Sequence, residues 1–360
     1  MTSASEICYF LGANAPSGFC SLYSELLPPE EARAIYILKG GAGCGKSTLM
    51  NRVARSMEES GHRTERILCS GDPDSLDALI LPDLGVALVD GTAPHVVEPR
   101  LPGAVERYVN MGAGYDTAAL YPIRDRLAEA MTGYKDCYRR AYRCLEASAA
   151  LREETRSLLL TEELQAKLAR RAGGILAREL KGQPGTAPGK VRQRFLGAIT
   201  HRGPLVLFDT VTAQCPRVYE LTDRFGLGHE LLLHLLHGGL ENGHNAVACP
   251  DPMAPDRLAH LLFPDLGLAF VTSTPELPFP GTPYRRLRLD SAADREILRR
   301  GRPRVRFALK ISAALTEEAV EDLARAKAMH DGLEELYRPH VDFAPADQLA
   351  RHITEDILAF

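Results

Sequence analysis

The sequence predicts an α/β protein made of two copies of one domain, each a parallel sheet flanked by helices. Three observations predict it. Four short segments recur in the same order at a nearly constant offset. Short apolar runs alternate with stretches of helical periodicity. A glycine-rich turn joins one of those runs to a helical pattern.

The composition agrees. The 360 residues carry 43 Lys+Arg against 47 Asp+Glu, a formal charge of −4, with 45% hydrophobic and 25% charged residues. These ordinary globular values exclude collagen, fibre and disorder. At ~150 residues per domain the length suggests two domains. No apolar run reaches the ~18–20 residues that span a bilayer, and residues 1–10 lack a signal pattern, so a soluble cytoplasmic protein without membrane contact is expected. Eight scattered cysteines with no CxxC argue against a disulfide framework or a zinc ribbon. Arg outnumbers Lys 35 to eight, which makes each Lys a minority choice.

The repeats run in order. Phe10-Leu11-Gly12-Ala13 recurs as Phe195-Leu196-Gly197-Ala198, and Gly43-Cys44-Gly45 as Gly226-Leu227-Gly228. Cys69-Ser-Gly-Asp72-Pro73 recurs as Cys249-Pro-Asp251-Pro252, and Pro82-Asp83-Leu84-Gly85 as Pro264-Asp265-Leu266-Gly267. The offsets lie between 179 and 185, so a tandem duplication is expected, with domains 1–185 and 186–360. Lys181–Lys190, rich in Pro and Gly, reads as the linker.

In repeat 1, Ala34–Leu38 predicts a buried strand, and Ser47–Ser60 a helix. Arg66–Cys69 and Val86–Val89 predict further strands. Apolar positions 123, 127, 130/131, 134, 137/138, 141, 144/145, 148 and 151 follow a 3.6-residue period and predict one long helix from about 122 to 160. Thr161-Glu-Glu reads as the cap of another, so the helical segment covers about 120–180. Repeat 2 is expected to end in helices from about Thr316.

Between the first strand and helix stands Gly40-Gly41-Ala42-Gly43-Cys44-Gly45-Lys46-Ser47-Thr48, which fits G-x-x-x-x-G-K-[ST]. Glycines let backbone approach a phosphate, and N–H groups from Gly43 to Thr48 form an anion nest at a helix N-terminus. Lys46 would reach the β- and γ-phosphates, the Ser47 hydroxyl would bind Mg²⁺, and Thr48 would sit by the α-phosphate. Cys44, inside the loop, reads either as a reactive thiol that ATP would protect or as a small filler.

On these residues the chain resembles the P-loop NTPase superfamily. ILKGGAGCGKST followed by LPDLGVALVDGTAPHVVEP looks like a family of bacterial tandem P-loop ATPases. The resemblance implies ATP with Mg²⁺ as cofactors and a P-loop fold with long helical insertions. No N-K-x-D element favours GTP. Val86-Ala87-Leu88-Val89-Asp90 supplies an Asp at a strand end, able to hold Mg²⁺ through a water. Gly91 stands where related ATPases often carry a water-orienting Glu. Asp72, Asp74, Asp77 and His95 are the alternatives for that task, with turn formation as the ordinary reading.

Aligned at offset 183, Gly40 becomes Asp223, Lys46 becomes His229, Ser47 becomes Glu230 and Asp90 becomes Thr272. Repeat 2 is therefore expected to bind no nucleoside triphosphate in the usual mode and to be structural or regulatory. His229-Glu-Leu-Leu-Leu-His234 has one residue too many for a zinc-protease helix. Nine Arg between Arg285 and Arg306 face only Asp290, Asp294 and Glu296. They read as a solvated face, as the site of an anionic partner such as nucleic acid, or as an arginine finger toward repeat 1. The leading function is an Mg²⁺-dependent ATPase using Lys46 and Asp90. A small-molecule or nucleotide kinase with the 122–180 helices as a lid stands beside it, as does a non-hydrolysing binding module.

Overall fold

The computed structural model describes residues 6–94, 96–182 and 187–360. His95 and part of the expected linker, 183–186, lie outside the described residues. Repeat 1 runs β1 (Ile7–Tyr9), β2 (Gly12–Ala15), β3 (Gly18–Ser21), β4 (Ala34–Lys39), α1 (Lys46–Glu59), β5 (Glu65–Leu68), β6 (Leu76–Leu81), β7 (Val86–Asp90), β8 (Glu106–Asn110), α2 (Thr117–Leu120), α3 (Arg124–Leu159) and α4 (Glu162–Glu179). Repeat 2 follows with β9 (Val191–Gln193), β10 (Gly197–Thr200), β11 (Gly203–Val206), α5 (Phe208–Gln214), β12 (Arg217–Thr222), α6 (Gly228–Glu241), β13 (Ala246–Asp251), β14 (Ala254–Phe263), β15 (Leu268–Ser273), β16 (Arg285–Arg288), α7 (Arg295–Tyr337) and α8 (Ala344–Leu358). No helix among the described residues is long and apolar enough to cross a membrane.

The duplication is visible in the topology. One sheet has the order β1-β5-β6-β7-β4-β8, the other β9-β13-β14-β15-β12-β16, the same order strand for strand. Each sheet is mixed, which corrects the expectation of a parallel one. β4 runs parallel to β7 and β8, but β6 is antiparallel to both its neighbours, as β14 is in repeat 2. The repeated Pro-Asp-Leu-Gly segment is the hairpin turn that reverses the chain. Gly85 (φ +63°) and Gly267 (φ +59°) take the left-handed conformation there.

Alternation along each strand sends side chains to two different cores. Ile37, Ala87 and Val89 of sheet 1 meet Ala269 and Val271 of sheet 2 in a core shared by the repeats. Tyr36, Leu38, Val86 and Leu88 point outward, under α1. Leu268 and Phe270 point outward under α6.

Each outer face is completed by a helix from the other repeat. Ala350, Ile353 and Ile357 of α8 join Leu49, Met50 and Val53 of α1 over sheet 1. Leu164, Leu168, Ala172 and Ile175 of α4 join Leu231, Leu232 and Leu235 of α6 over sheet 2. Burying such a side chain contributes roughly 1.5–3 kcal/mol. The connection is made by α3 and α7, which pack antiparallel along their lengths. Arg140 pairs with Asp322 and Arg304 with Glu154. Ser148 bonds Ser312 and Thr316 near the middle.

A pseudo-two-fold axis runs through equivalent residues. Phe10 and Phe195, the first residues of the FLGA repeat, exchange both backbone hydrogen bonds at 2.9 Å. Ala141 and Ala319, and Leu145 and Leu323, meet in one cluster between α3 and α7. The long helix over 122–160 and its Thr161-capped successor match expectation. α7 begins well before Thr316, although Gly301 and Pro303 stand in its path. Pro costs one backbone bond, and the packing of Leu158 beside Gly301 keeps the segment helical against α3.

The exchange makes a specific prediction. Ile353→Ala should lower stability by about 2–5 kcal/mol in urea titration. Amide protection should fall in residues 46–59, nearly 300 residues away in sequence. Unchanged protection there would mean that α8 does not cover α1.

Candidate functional site

β4 leads into the six-residue loop 40–45 and α1 leads out. Gly43 (φ +69°) and Gly45 (φ +88°) take backbone shapes that L side chains avoid, and Gly45 caps α1 with no side-chain acceptor. The first-turn N–H groups of α1 therefore face the loop. Lys46 Nζ folds back and donates to the carbonyls of Gly40 (2.9 Å) and Gly41 (2.8 Å). The same nitrogen lies 3.5 Å from the carboxylate of Asp90, at the end of the neighbouring parallel strand β7. Asp90 also accepts from the Thr92 amide and hydroxyl. The Ser47 hydroxyl accepts from the Leu76 amide at 2.9 Å. Thr48 is exposed on the first turn of α1, and Ala42 is half-buried. Lys46 and Ser47 thus meet Asp90, more than 40 residues further along the chain, at one helix N-terminus.

Cys44 does not fit the reactive-thiol reading. It is 1% exposed and belongs to the core under α1. Its sulfur lies where a Cβ on Gly40 would come within 2.7 Å of it, so position 40 excludes a side chain. Position 91 is closed for a similar reason. A Cβ there would lie 2.4 Å from Ile37, so the missing Glu has a steric cause.

The other expected carboxylates separate into different roles. Asp77 is buried and accepts from the Tyr23 hydroxyl. Asp74 is exposed and paired with Arg202, which holds its carboxyl below the usual range. Asp72 accepts from Ser75 and lies 3.5 Å from Lys327 Nζ. Asp72 thereby faces a residue of α7.

α7 was missed as part of the site because its relevant residues belong to the other repeat. The Glu334 backbone lies 3.5 Å from where a Cβ on Gly43 would be, and the Phe343 ring 3.6 Å from one on Gly45. Tyr115 approaches Gly41 with its hydroxyl and stacks on Tyr337 with ring centroids 5.6 Å apart. Lys327, His330, Asp331 and Glu334 bring charge to this face, and the last three place ligand atoms within 4.8 Å of one another. Lys327 was one of only eight lysines, which was the one signal available in the sequence.

The equivalent loop of repeat 2 is one residue shorter, 223–227. This corrects the alignment. The amide of Leu258 donates to His229 as that of Leu76 does to Ser47, so Ser47 corresponds to His229 and Lys46 to Gly228. Asp223, in the place of Gly40, is buried and accepts from the amides of Phe225 (3.1 Å) and Gly228 (2.6 Å). Burial pushes its carboxyl up, against the pull of those donors. Repeat 2 thus fills its own nest with a carboxylate. Arg156 of α3 lies over Gly226, as Glu334 of α7 lies over Gly43.

The arginine-finger reading fails on distance. Arg299–Arg306 sit at the opposite end of α7, about 40 Å along the helix from Glu334. His234 and His237 are exposed on α6, and no metal cluster among the described residues includes them. The lid reading fails as well. α3 is tied along its length to α7, and α4 is buried against α6. Comparison with protein families, with curated proteins and with solved structures finds no match to this chain.

Burial at Cys44 predicts its reactivity. In the folded protein a maleimide should label it far more slowly than the half-buried Cys20 and Cys144, with or without ATP. Peptide mass spectrometry at successive times reads this directly. Fast labelling that ATP prevents would restore the reactive-thiol reading.

Proposed function

We propose that repeat 1 is a P-loop nucleotide site that binds ATP with Mg²⁺ and hydrolyses it, while repeat 2 supports and regulates it. One observation carries this reading. The two loops share a scaffold, yet only the loop of repeat 2 has a carboxylate of its own in the nest. Gly40 brings no side chain to the nest of repeat 1, so its amides have no carboxylate at that position. A glycine nest, a lysine and a strand-end Asp form a donor set suited to a metal-bound triphosphate.

The residues divide the work. Amides of Gly43 to Thr48 hold phosphate oxygens. Lys46 exchanges its carbonyl partners and Asp90 for the β- and γ-phosphates. Ser47 and Asp90 would hold Mg²⁺, which when bound neutralises charge on the transferred phosphoryl group. Asp72, tied to Lys327, would be the carboxylate to orient a water, since position 91 admits no Glu. Lys327 reaches the same face from the other repeat. The absence of an N-K-x-D element favours ATP over GTP.

Phosphate release with ATP and with GTP tests the reading. Wild type should release phosphate from ATP without an added acceptor, and Lys46→Ala should reduce the rate about 100-fold or more. Asp90→Ala should remove Mg²⁺ dependence together with activity. A requirement for an acceptor would make the protein a kinase, and no nucleotide binding by wild type would end the proposal.

Lys327 gives a separate prediction. Lys327→Ala should lower kcat about tenfold or more while ATP affinity stays nearly constant, as expected of a cation that acts on the transition state. Lys327→Arg should recover part of the rate. A change confined to thermal stability would reduce Lys327 to a packing role.

A further inference from the structure

We infer that the arginine-lined hollow on repeat 2 binds single-stranded nucleic acid. Arg295, Arg299, Arg302 and Arg306 recur at i, i+4, i+7 and i+11 and so form one stripe on α7. Arg224, from the degenerate loop of repeat 2, joins them around a hollow of about 370 Å³. Phe225, Leu298, Val305 and Leu309 form its floor.

The stripe works against the helix that carries it. Like charges three and four residues apart destabilise a helix. Its charges are also left largely uncompensated. Among the described residues, Arg224, Arg295, Arg302 and Arg306 form no ion pair. Nearby carboxylates are occupied elsewhere. Asp223 accepts the amides of Phe225 and Gly228, Asp290 sits beside Arg224 and accepts its backbone amide, Asp294 caps α7, and Glu296 holds Arg299 and Arg300. The ion pairing that joins α7 to α3 uses Arg304, off the stripe.

Symmetry supplies an internal comparison. The positions 178 residues earlier are Thr117, Tyr121, Arg124 and Ala128. The duplicated scaffold therefore does not require the stripe. Positive charge continues onto the edge strand β16 through the exposed Arg285 and Arg288, and Tyr284 stands beside Arg285.

The occupant follows from the combination. Guanidinium forks suit phosphates, while a half-buried Phe225 on an apolar floor suits the face of a base. A small polyphosphate leaves the floor unused. A duplex keeps its bases stacked inside and offers Phe225 nothing. A single strand supplies phosphates along the stripe and an unstacked base for the floor.

Fluorescence anisotropy with a labelled single strand of about 12 nucleotides tests this. Wild type should bind at about 50 mM salt and weaken steeply toward about 200 mM. Arg299→Glu with Arg302→Glu and Arg306→Glu should lose about tenfold or more in affinity. The same charge change at Lys167, Arg170 and Arg171 on α4 should have little effect. Phe225→Ala should cost about fivefold or more, and Arg302→Gln alone should reduce the salt slope by about 0.7. These two milder variants keep the test decisive should the triple variant misfold. Lys46→Ala should bind as wild type does, which separates this site from that of repeat 1. No binding at low salt would overturn the inference. So would equal loss in the α4 variant, equal affinity for the duplex, or equally effective competition by inorganic tripolyphosphate.

Discussion

Each sheet has an outer apolar face wider than the one helix its own repeat lays on it. The rest of the structure depends on how that face is closed. α1 covers part of sheet 1, and α8 from the other repeat covers the remainder. α6 and α4 do the same for sheet 2. Apolar burial thus forces the chain to cross over twice, and the crossings are the long helices α3 and α7. The inner faces add a shared core between the sheets. Neither repeat has a complete set of buried surfaces alone, because each takes a covering helix from the other.

The same crossings decide what surrounds each loop. Because α7 must travel from repeat 2 to the far side of sheet 1, it passes over Gly43, and α3 passes over Gly226 by symmetry. The residues carried there differ in sign. Repeat 1 receives Glu334, and repeat 2 receives Arg156 at the corresponding place. In repeat 2 Arg156 and Arg257 both lean on Glu153, whose carboxyl they hold down to about 2, with Arg156 the larger influence. The scaffold is symmetric while charge differs at the two loops. A position that is buried and equivalent, such as Leu145 and Leu323, kept its residue.

Local chemistry explains what could be read from the sequence. The FLGA and PDLG repeats are contiguous and carry backbone requirements, so they revealed the duplication. Gly40–Thr48, the strand before it and the 3.6-residue period of α3 are likewise local. β6 escaped because LDALIL is too short and too uniformly apolar to separate strand from connection. The early start of α7 escaped because Gly301 and Pro303 speak against a helix that only tertiary packing sustains. Above all, nothing local says that α8 leaves its own repeat. An amphipathic face declares that it needs a partner without saying which. Glu334 was therefore invisible as a neighbour of a loop some 290 residues earlier. The one-residue shortening of the second loop also escaped, because it shows only in which side chain accepts from Leu258 and Leu76.

The α3–α7 pair rests on one loop at each end. Near its middle, Ser148, Ser312 and Thr316 satisfy one another's hydroxyls inside the buried seam. Sliding one helix past the other would break that set and leave buried donors unpaired, at roughly 1–3 kcal/mol for each. The pair therefore moves as one body or not at all. Arg156 over Gly226 and Glu334 over Gly43 are carried by the two ends of that pair. Duplication without the exchange of helices would have given two independent sites. With the exchange, losing the nest in repeat 2 leaves that copy still mechanically attached to the one in repeat 1.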